Sequence, residues 1–209
     1  LCKSMASLLY AGFLALLVKF IKPGFQVRIA TIMVLVAITY PLTRGMGWFP
    51  VQQISDLASS VSERRAESFN VRVHNEDMLL AKTKTRPWFG WGTWGRNRIY
   101  DQVTGKDISV TDGRWIQTFG KFGLLGFITE FGLLAITVFR AFTASKLLKS
   151  RPEKSLLAAH ALIVGIIMVD QLPNASLQPW LWLLAGILLG RAEMIISENK
   201  TTRSTRNIT

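Results

Sequence analysis

Cysteine and histidine are nearly absent from this chain, and that scarcity removes several function classes. One cysteine in 209 residues, Cys2, excludes any disulfide within the chain. The two histidines, His74 and His160, lie far apart, and no Cys/His spacing of a metal site is present, so no metal is expected. There is no GxxxxGK[ST] loop and no GxSxG elbow, which argues against a P-loop nucleotide site and a serine-hydrolase elbow; no cofactor is expected either. Acidic residues are also few, 13 against 25 Lys and Arg, giving a net charge of +12. Such an excess raises nucleic acid as a partner. The charge is divided among short separate segments with no recognition module between them, so nucleic acid is not expected.

Apolar residues are plentiful and come in blocks. They make up 49% of the chain, and the mean hydropathy is +0.28. Five blocks approach the roughly 17 to 25 residues that cross a bilayer: Met5 to Phe20, Ile29 to Pro41, Ile116 to Phe142, Leu156 to Val169 and Trp180 to Ile196. The expected fold is an all-α polytopic membrane protein of about five transmembrane helices with one large, partly helical periplasmic loop. Residues 1–43 hold two spans, 44–115 the loop, 116–196 three spans, and 197–209 a basic cytoplasmic tail.

Orientation follows from the basic residues, which short cytoplasmic loops retain. Lys19, Lys22 and Arg28 follow the first span; Arg140, Lys146, Lys149, Arg151 and Lys154 follow the third; Arg191, Lys200, Arg203 and Arg206 lie at the end. Only Glu153, Glu193 and Glu198 oppose them. These segments are therefore expected in the cytoplasm, and the 44–115 loop on the other side. The chain starts at Leu1 without an initiator Met or a charged leader, and reads as the C-terminal part of a larger membrane protein.

The loop carries its own order. Ser60 followed by Glu63 predicts a capping box, and the Gly- and Pro-free run from Val61 to about Lys84 predicts a helix of about 24 residues that stops before Arg86-Pro87. Leu57, Val61, Phe69, Val73 and Leu80 recur at near-helical spacing. Arg65 and Arg72 share a face, with Glu76 one turn further, and His74 points to another side. Next, Gly90, Gly92 and Gly95 alternate with Trp88, Trp91 and Trp94. Glycines permit tight turns and bring amides close to a ligand; indole faces stack on sugar rings or interfacial lipid. The pattern resembles GxGxxG, but no strand precedes it, which excludes a dinucleotide fingerprint. All seven Trp fall in the loop or at span ends on its side, whereas aromatic belts occupy both interfaces.

In order, the parts are two spans, SERRAESFNVR, RPWFGWG, TDGRW, the span FGKFGLLGFITEFGLL and two more spans. This order resembles the C-terminal half of the O-antigen ligase and O-antigen polymerase family of bacterial inner membranes. The resemblance implies transfer of a glycan from a polyprenyl pyrophosphate carrier to a sugar hydroxyl at the periplasmic face, with no nucleotide sugar. The acceptor would be a growing glycan or the lipid A core, and the reaction would run in contact with membrane lipid. Loop arginines would hold the pyrophosphate: Arg72, Arg65, Arg114 and Arg98 first, then Arg86 and Arg96. A guanidinium fork suits that task, since it binds phosphate oxygens bidentately and keeps its charge. Where the ligases carry a His before the next span, this chain has Asp112. A carboxylate within reach of the hydroxyl can serve as base, but a helix cap and an Asx-turn fit Asp112 equally. His74 is the other candidate base. Trp88, Trp91 and Trp94 would bind glycan.

A non-catalytic reading stands beside this one: a lipid-linked glycan transporter or envelope assembly protein, in which Glu130, an ionisable residue in mid-span, would matter more than the loop arginines. A structural membrane subunit is a third. Gly123, Gly126 and Gly132 around Glu130 predict close helix packing.

Overall fold

A computed structural model describes residues 5–175 and 178–206. Among the described residues seven helices follow one another: α1 (Met5–Phe20), α2 (Pro23–Gly45), α3 (Val51–Val61), α4 (Glu63–Thr83), α5 (Arg114–Leu147), α6 (Arg151–Asp170) and α7 (Pro179–Arg206). The described residues form no strand, only an isolated bridge between Tyr100 and Asp107. By length and composition four helices, α2, α5, α6 and α7, can cross a membrane, whereas α1 is apolar but shorter. The protein is α-helical and of multi-pass membrane type. The chain divides into two compact units.

The first unit comprises Leu1–Val36, Leu133–Asp170 and Gln178–Thr209. Its helices touch through small side chains. Ala158 and Ala161 are fully buried on α6, and Gly165 lies so near Ala30 of α2 that a β-carbon there would sit 3.1 Å from the Ala30 carbonyl oxygen. The buried Gln26 amide donates to the Ile21 carbonyl at 2.7 Å, closing the turn between α1 and α2. Leu9, Leu16, Ile32, Leu133, Leu183 and Ile187 stay exposed on these helices, a pattern that suits lipid as the surrounding medium better than water. Two ion pairs lie between helices at the basic ends, Arg140–Glu193 and Arg191–Glu153.

The second unit comprises Ala37–Gly132 and Gln171–Leu177. Here the predicted helix is present as α4, and a second helix that was not predicted, α3, precedes it. The polar run starts two residues later than expected, at Glu63, because Val51, Ile54, Leu57 and Val61 form an amphipathic helix of their own behind Pro50. No capping box forms. Ser60 is inside α3, where its hydroxyl bonds back to the Leu57 carbonyl at 2.7 Å, and the extended Ser62 stands at the α4 N-cap without a side-chain bond. Leu57 is exposed on α3, so the apolar stripe of α4 begins at Phe69. Ser55 donates to Asn70 at 2.8 Å and ties the two helices together.

The expected straight third span is also corrected. Gly123, inside α5, adopts φ 66° and ψ −161°, a region essentially reserved for glycine. Arg114 and Glu130 are sixteen residues apart, about 24 Å along a straight helix at 1.5 Å per residue. Their side chains nevertheless meet at 2.7 Å. Thr118 bonds the other Glu130 oxygen at 2.7 Å, and the Phe119 and Phe127 rings lie 5.6 Å apart. All three pairs span Gly123, with midpoints at it or one residue away, so α5 is a hairpin: a nine-residue arm, 114–122, folds back on the long arm that starts at residue 124. Gly132 faces open space and packs nothing.

The segment 87–92 completes the backbone at this break. Trp91 and Gly92 donate their amides to the Gly120 and Lys121 carbonyls, each at 2.8 Å, where the short arm ends. Leu124 and Leu125 donate to the Pro87 and Trp88 carbonyls at 2.7 and 3.3 Å, where the long arm begins. Unsatisfied helix termini are thus paired by a crossing chain rather than by caps. The crossing needs two glycines: a β-carbon on Gly123 would lie 2.4 Å from the Trp88 backbone, and one on Gly90 2.6 Å from that of Lys121.

Candidate functional site

The second unit brings two of the predicted site residues together. Arg72 projects from α4, and Asp112 approaches on the extended segment before α5, which is fixed where the Val110 amide donates to the Asn75 side chain at 3.0 Å. Arg72 Nε stands 3.4 Å from Asp112 Oδ2, with both side chains about half exposed. Of the three roles open to Asp112, what the geometry supplies is a guanidinium partner.

This pair borders two depressions. One is a half-enclosed cavity of about 210 Å³, in which Tyr40, Arg72, Glu76 and Asp112 are the polar groups and Phe69, Val73, Val110, Leu172 and Pro173 the apolar wall. The other is an open groove of about 420 Å³ along α4, lined by Arg64, Glu67, Ser68 and Val71. Arg72 and Asp112 line both. A molecule extended from the cavity into the groove would pass over the pair. Both carboxylate-bearing and cationic groups are therefore presented to one ligand, the arrangement that acid–base or phosphate chemistry requires.

Glu76 is a cavity-lining carboxylate to which the sequence reasoning gave no role. It lies one helical turn beyond Arg72 and is nearly buried, its side chain only 14% exposed. The Tyr40 hydroxyl donates to Glu76 Oε2 at 3.0 Å, and Arg44 Nε stands 3.3 Å from the same oxygen. Arg44 makes its shorter contact, 2.9 Å, with Asp77. Burial pushes Glu76 above the ordinary glutamate range, and the Tyr40 and Arg44 contacts offset this only in part. A signal was available: Phe69, Val73, Glu76 and Leu80 fall on one stripe, so a carboxylate interrupts the apolar face of α4.

Other predicted residues have different surroundings. Arg114 holds Glu130 inside the α5 hairpin, so the mid-span carboxylate has a partner within the chain. Arg98 pairs with Asp107 at 2.6 Å. Partial burial raises Asp107, but the bonds from Arg98 and Ser109 outweigh it and hold the carboxyl below its usual range. Of the lower-ranked pair, Arg86 stacks over the Trp91 ring at 4.3 Å, and Arg96 bonds the Thr93 carbonyl at 3.3 Å. His74 is exposed and lines a separate open depression with Ser59, Glu63 and Asn70. Arg65 lies on α4, and its side chain is outside the described residues.

The three indoles also differ from one another. Trp91 donates to the Lys82 carbonyl at 3.1 Å, beneath Lys82 and Arg86. Trp88 and Trp94 are exposed, Trp94 almost completely, on a backbone with φ 61° that non-glycine residues rarely adopt. The amides of Trp91 and Gly92 serve the helix break rather than a ligand. No group of three or more His, Cys, Asp or Glu able to hold a metal occurs among the described residues. Comparison with protein-family models, with curated proteins and with solved structures returned no match to this chain.

Proposed function

We propose that this chain carries the acceptor and pyrophosphate site of a membrane glycosyltransferase. In this reading a glycan passes from a polyprenyl pyrophosphate carrier to a sugar hydroxyl at the periplasmic face of the bacterial inner membrane, as in the O-antigen ligase and polymerase family that the sequence resembles. The observation that carries the reading is the Arg72–Asp112 pair, standing where a cavity with room for about one sugar ring meets an open groove. At 3.4 Å and half exposed, the pair is a weak ion pair, and a pyrophosphate with more charge and more acceptor oxygens competes well for the guanidinium. Arg72 would then stabilise the leaving pyrophosphate as charge builds on it, a contact that commonly contributes ~10² to 10³ in rate. Arg64, beside it in the groove, extends the cationic surface.

The spans hold the lipid-linked donor at bilayer depth, and the exposed Trp88 and Trp94 offer faces for its sugars. In this reading the loop faces the periplasm and the C-terminus the cytoplasm, which the positive-inside distribution of Lys and Arg supports. A transporter would instead use Glu130 as an exchangeable charge. Its bonds to Arg114 and Thr118 favour a fixed structural role for it.

The test is a transfer assay in proteoliposomes with the full-length protein, polyprenyl pyrophosphate-linked glycan and either a lipid-linked glycan or lipid A core as acceptor. A ladder of longer lipid-linked chains identifies a polymerase, and a shifted lipid A core a ligase. Glycan binding without product from either acceptor overturns the reading in favour of transport or assembly.

A further inference from the structure

We infer that Glu76, rather than Asp112 or His74, is the general base that takes the proton from the acceptor hydroxyl, with Asp112 acting to position Arg72. The inference rests on the glycosyl-transfer reading and deepens it.

Three observations support it. Glu76 is inside the half-enclosed cavity, one helical turn from Arg72, so a hydroxyl bound there lies near both the proton acceptor and the guanidinium that would hold the leaving group. Asp112 faces Arg72 at 3.4 Å at the cavity edge, where its half-exposed oxygens are shared with water, whereas Glu76, which has its own guanidinium partner in Arg44 at 3.3 Å, is nearly buried. His74 lines a neighbouring open depression that shares Glu67 and Val71 with the groove but is not lined by Arg72, Glu76 or Asp112. Glu76, by contrast, is screened from water and holds its carboxylate in place through Tyr40 and Arg44, while Asp77 takes the shorter Arg44 contact. A nearly buried base fixed in a half-enclosed cavity beside its clamp is the arrangement that catalysis requires.

The step balances as a direct displacement. The acceptor O–H bond breaks and its proton goes to the Glu76 carboxylate. The acceptor oxygen bonds to the anomeric carbon, whose bond to the pyrophosphate oxygen breaks, and the lipid pyrophosphate leaves with that electron pair against Arg72. No co-reactant is required, and the geometry is that of an inverting transfer without a covalent protein intermediate.

The charged and titratable groups around Glu76 are Tyr40 and Arg44 from α2, Arg72 and Asp77 from α4, and Asp112 from the segment before α5. Because the base must be ionised, transfer should rise with pH along an acid limb whose midpoint lies above the ordinary glutamate value of 4.5. The Tyr40 hydroxyl stabilises the carboxylate, so Tyr40→Phe should move that limb to higher pH.

The experiment uses the full-length protein in proteoliposomes with polyprenyl pyrophosphate-linked glycan, recording kcat, KM and pH profile for wild type, Glu76→Gln, Glu76→Asp, Tyr40→Phe, Asp112→Asn and His74→Ala. The expected result is a kcat loss of ~10² to 10⁴ for Glu76→Gln with KM changed less than about threefold, and partial rescue by Glu76→Asp. If Glu76→Gln does not reach the membrane folded, Tyr40→Phe decides: an acid limb shifted upward supports the assignment, and an unmoved limb overturns it. Glu76→Gln within about threefold of wild type, or an acid limb lost in Asp112→Asn or His74→Ala but kept in Glu76→Gln, overturns the assignment while leaving the transfer reading intact. No transfer by wild type removes both.

Discussion

Two arginine–carboxylate pairs in the same unit are built for opposite purposes. In the α5 hairpin, Arg114 meets Glu130 at 2.7 Å with the carboxylate 12% exposed and its second oxygen bonded to Thr118. Beside α4, Arg72 meets Asp112 at 3.4 Å with both groups open to solvent. The first pair cannot exchange partners without leaving a nearly buried charge unpaired inside the hairpin. The second is an exposed pair, and in the proposed function it exchanges Asp112 for a phosphate. Four arginines that look alike in sequence, Arg72, Arg98, Arg114 and Arg44, are thus separated by what each carboxylate partner already provides, and the loosest pair, Arg72–Asp112, has both of its members in the lining of the half-enclosed cavity.

That contrast predicts a ranking. Glu130→Ala should have the largest effect, since it leaves Arg114 unpaired at the hairpin. A loss of ~3 to 5 kcal/mol is expected, read as a lowered midpoint in detergent or thermal unfolding of the membrane-extracted protein. Arg72→Ala should leave that midpoint nearly unchanged and lower transfer by ~10² to 10³, read as product per unit of membrane protein. Gly90→Ala should lie between structure and function. Its β-carbon would meet the Lys121 backbone at 2.6 Å from a φ of 68°, so a loss of ~1 to 3 kcal/mol is expected, with faster proteolysis at the 87–92 crossing. Asp112→Ala should change stability by less than ~1 kcal/mol, as an exposed pair does, and the small change should shrink further in high salt. A large loss of stability in Asp112→Ala would erase the distinction between the two pairs.

The apolar blocks were legible because span length is a property of composition: four of the five fall within a single helix, Met5 to Phe20 matching α1 at both ends, and Ile116 to Phe142 runs across the Gly123 break. The α5 hairpin was not legible. GKFGLLGF reads as a continuous apolar span, and what breaks it is a distant segment, RPWFGWG, whose backbone replaces the lost helix bonds. The same non-locality hid the role of the glycines: Gly90 and Gly123 look like separate motifs and interlock in space. Arg72 was legible as a loop arginine with Glu76 on its face. That Asp112 would reach Arg72 depended on Val110 bonding Asn75, a contact across thirty-five residues that no periodicity encodes. Glu76 was present as a break in an apolar stripe. Its importance depends on Tyr40 from α2, thirty-six residues earlier.

The most direct test of the central claim is the transfer rate of Arg72→Ala in proteoliposomes, set against its unfolding midpoint. The account predicts a rate reduced by ~10² to 10³ at an unchanged midpoint. A rate within about threefold of wild type, with lipid-linked glycan supplied and the protein at normal membrane level, would contradict it.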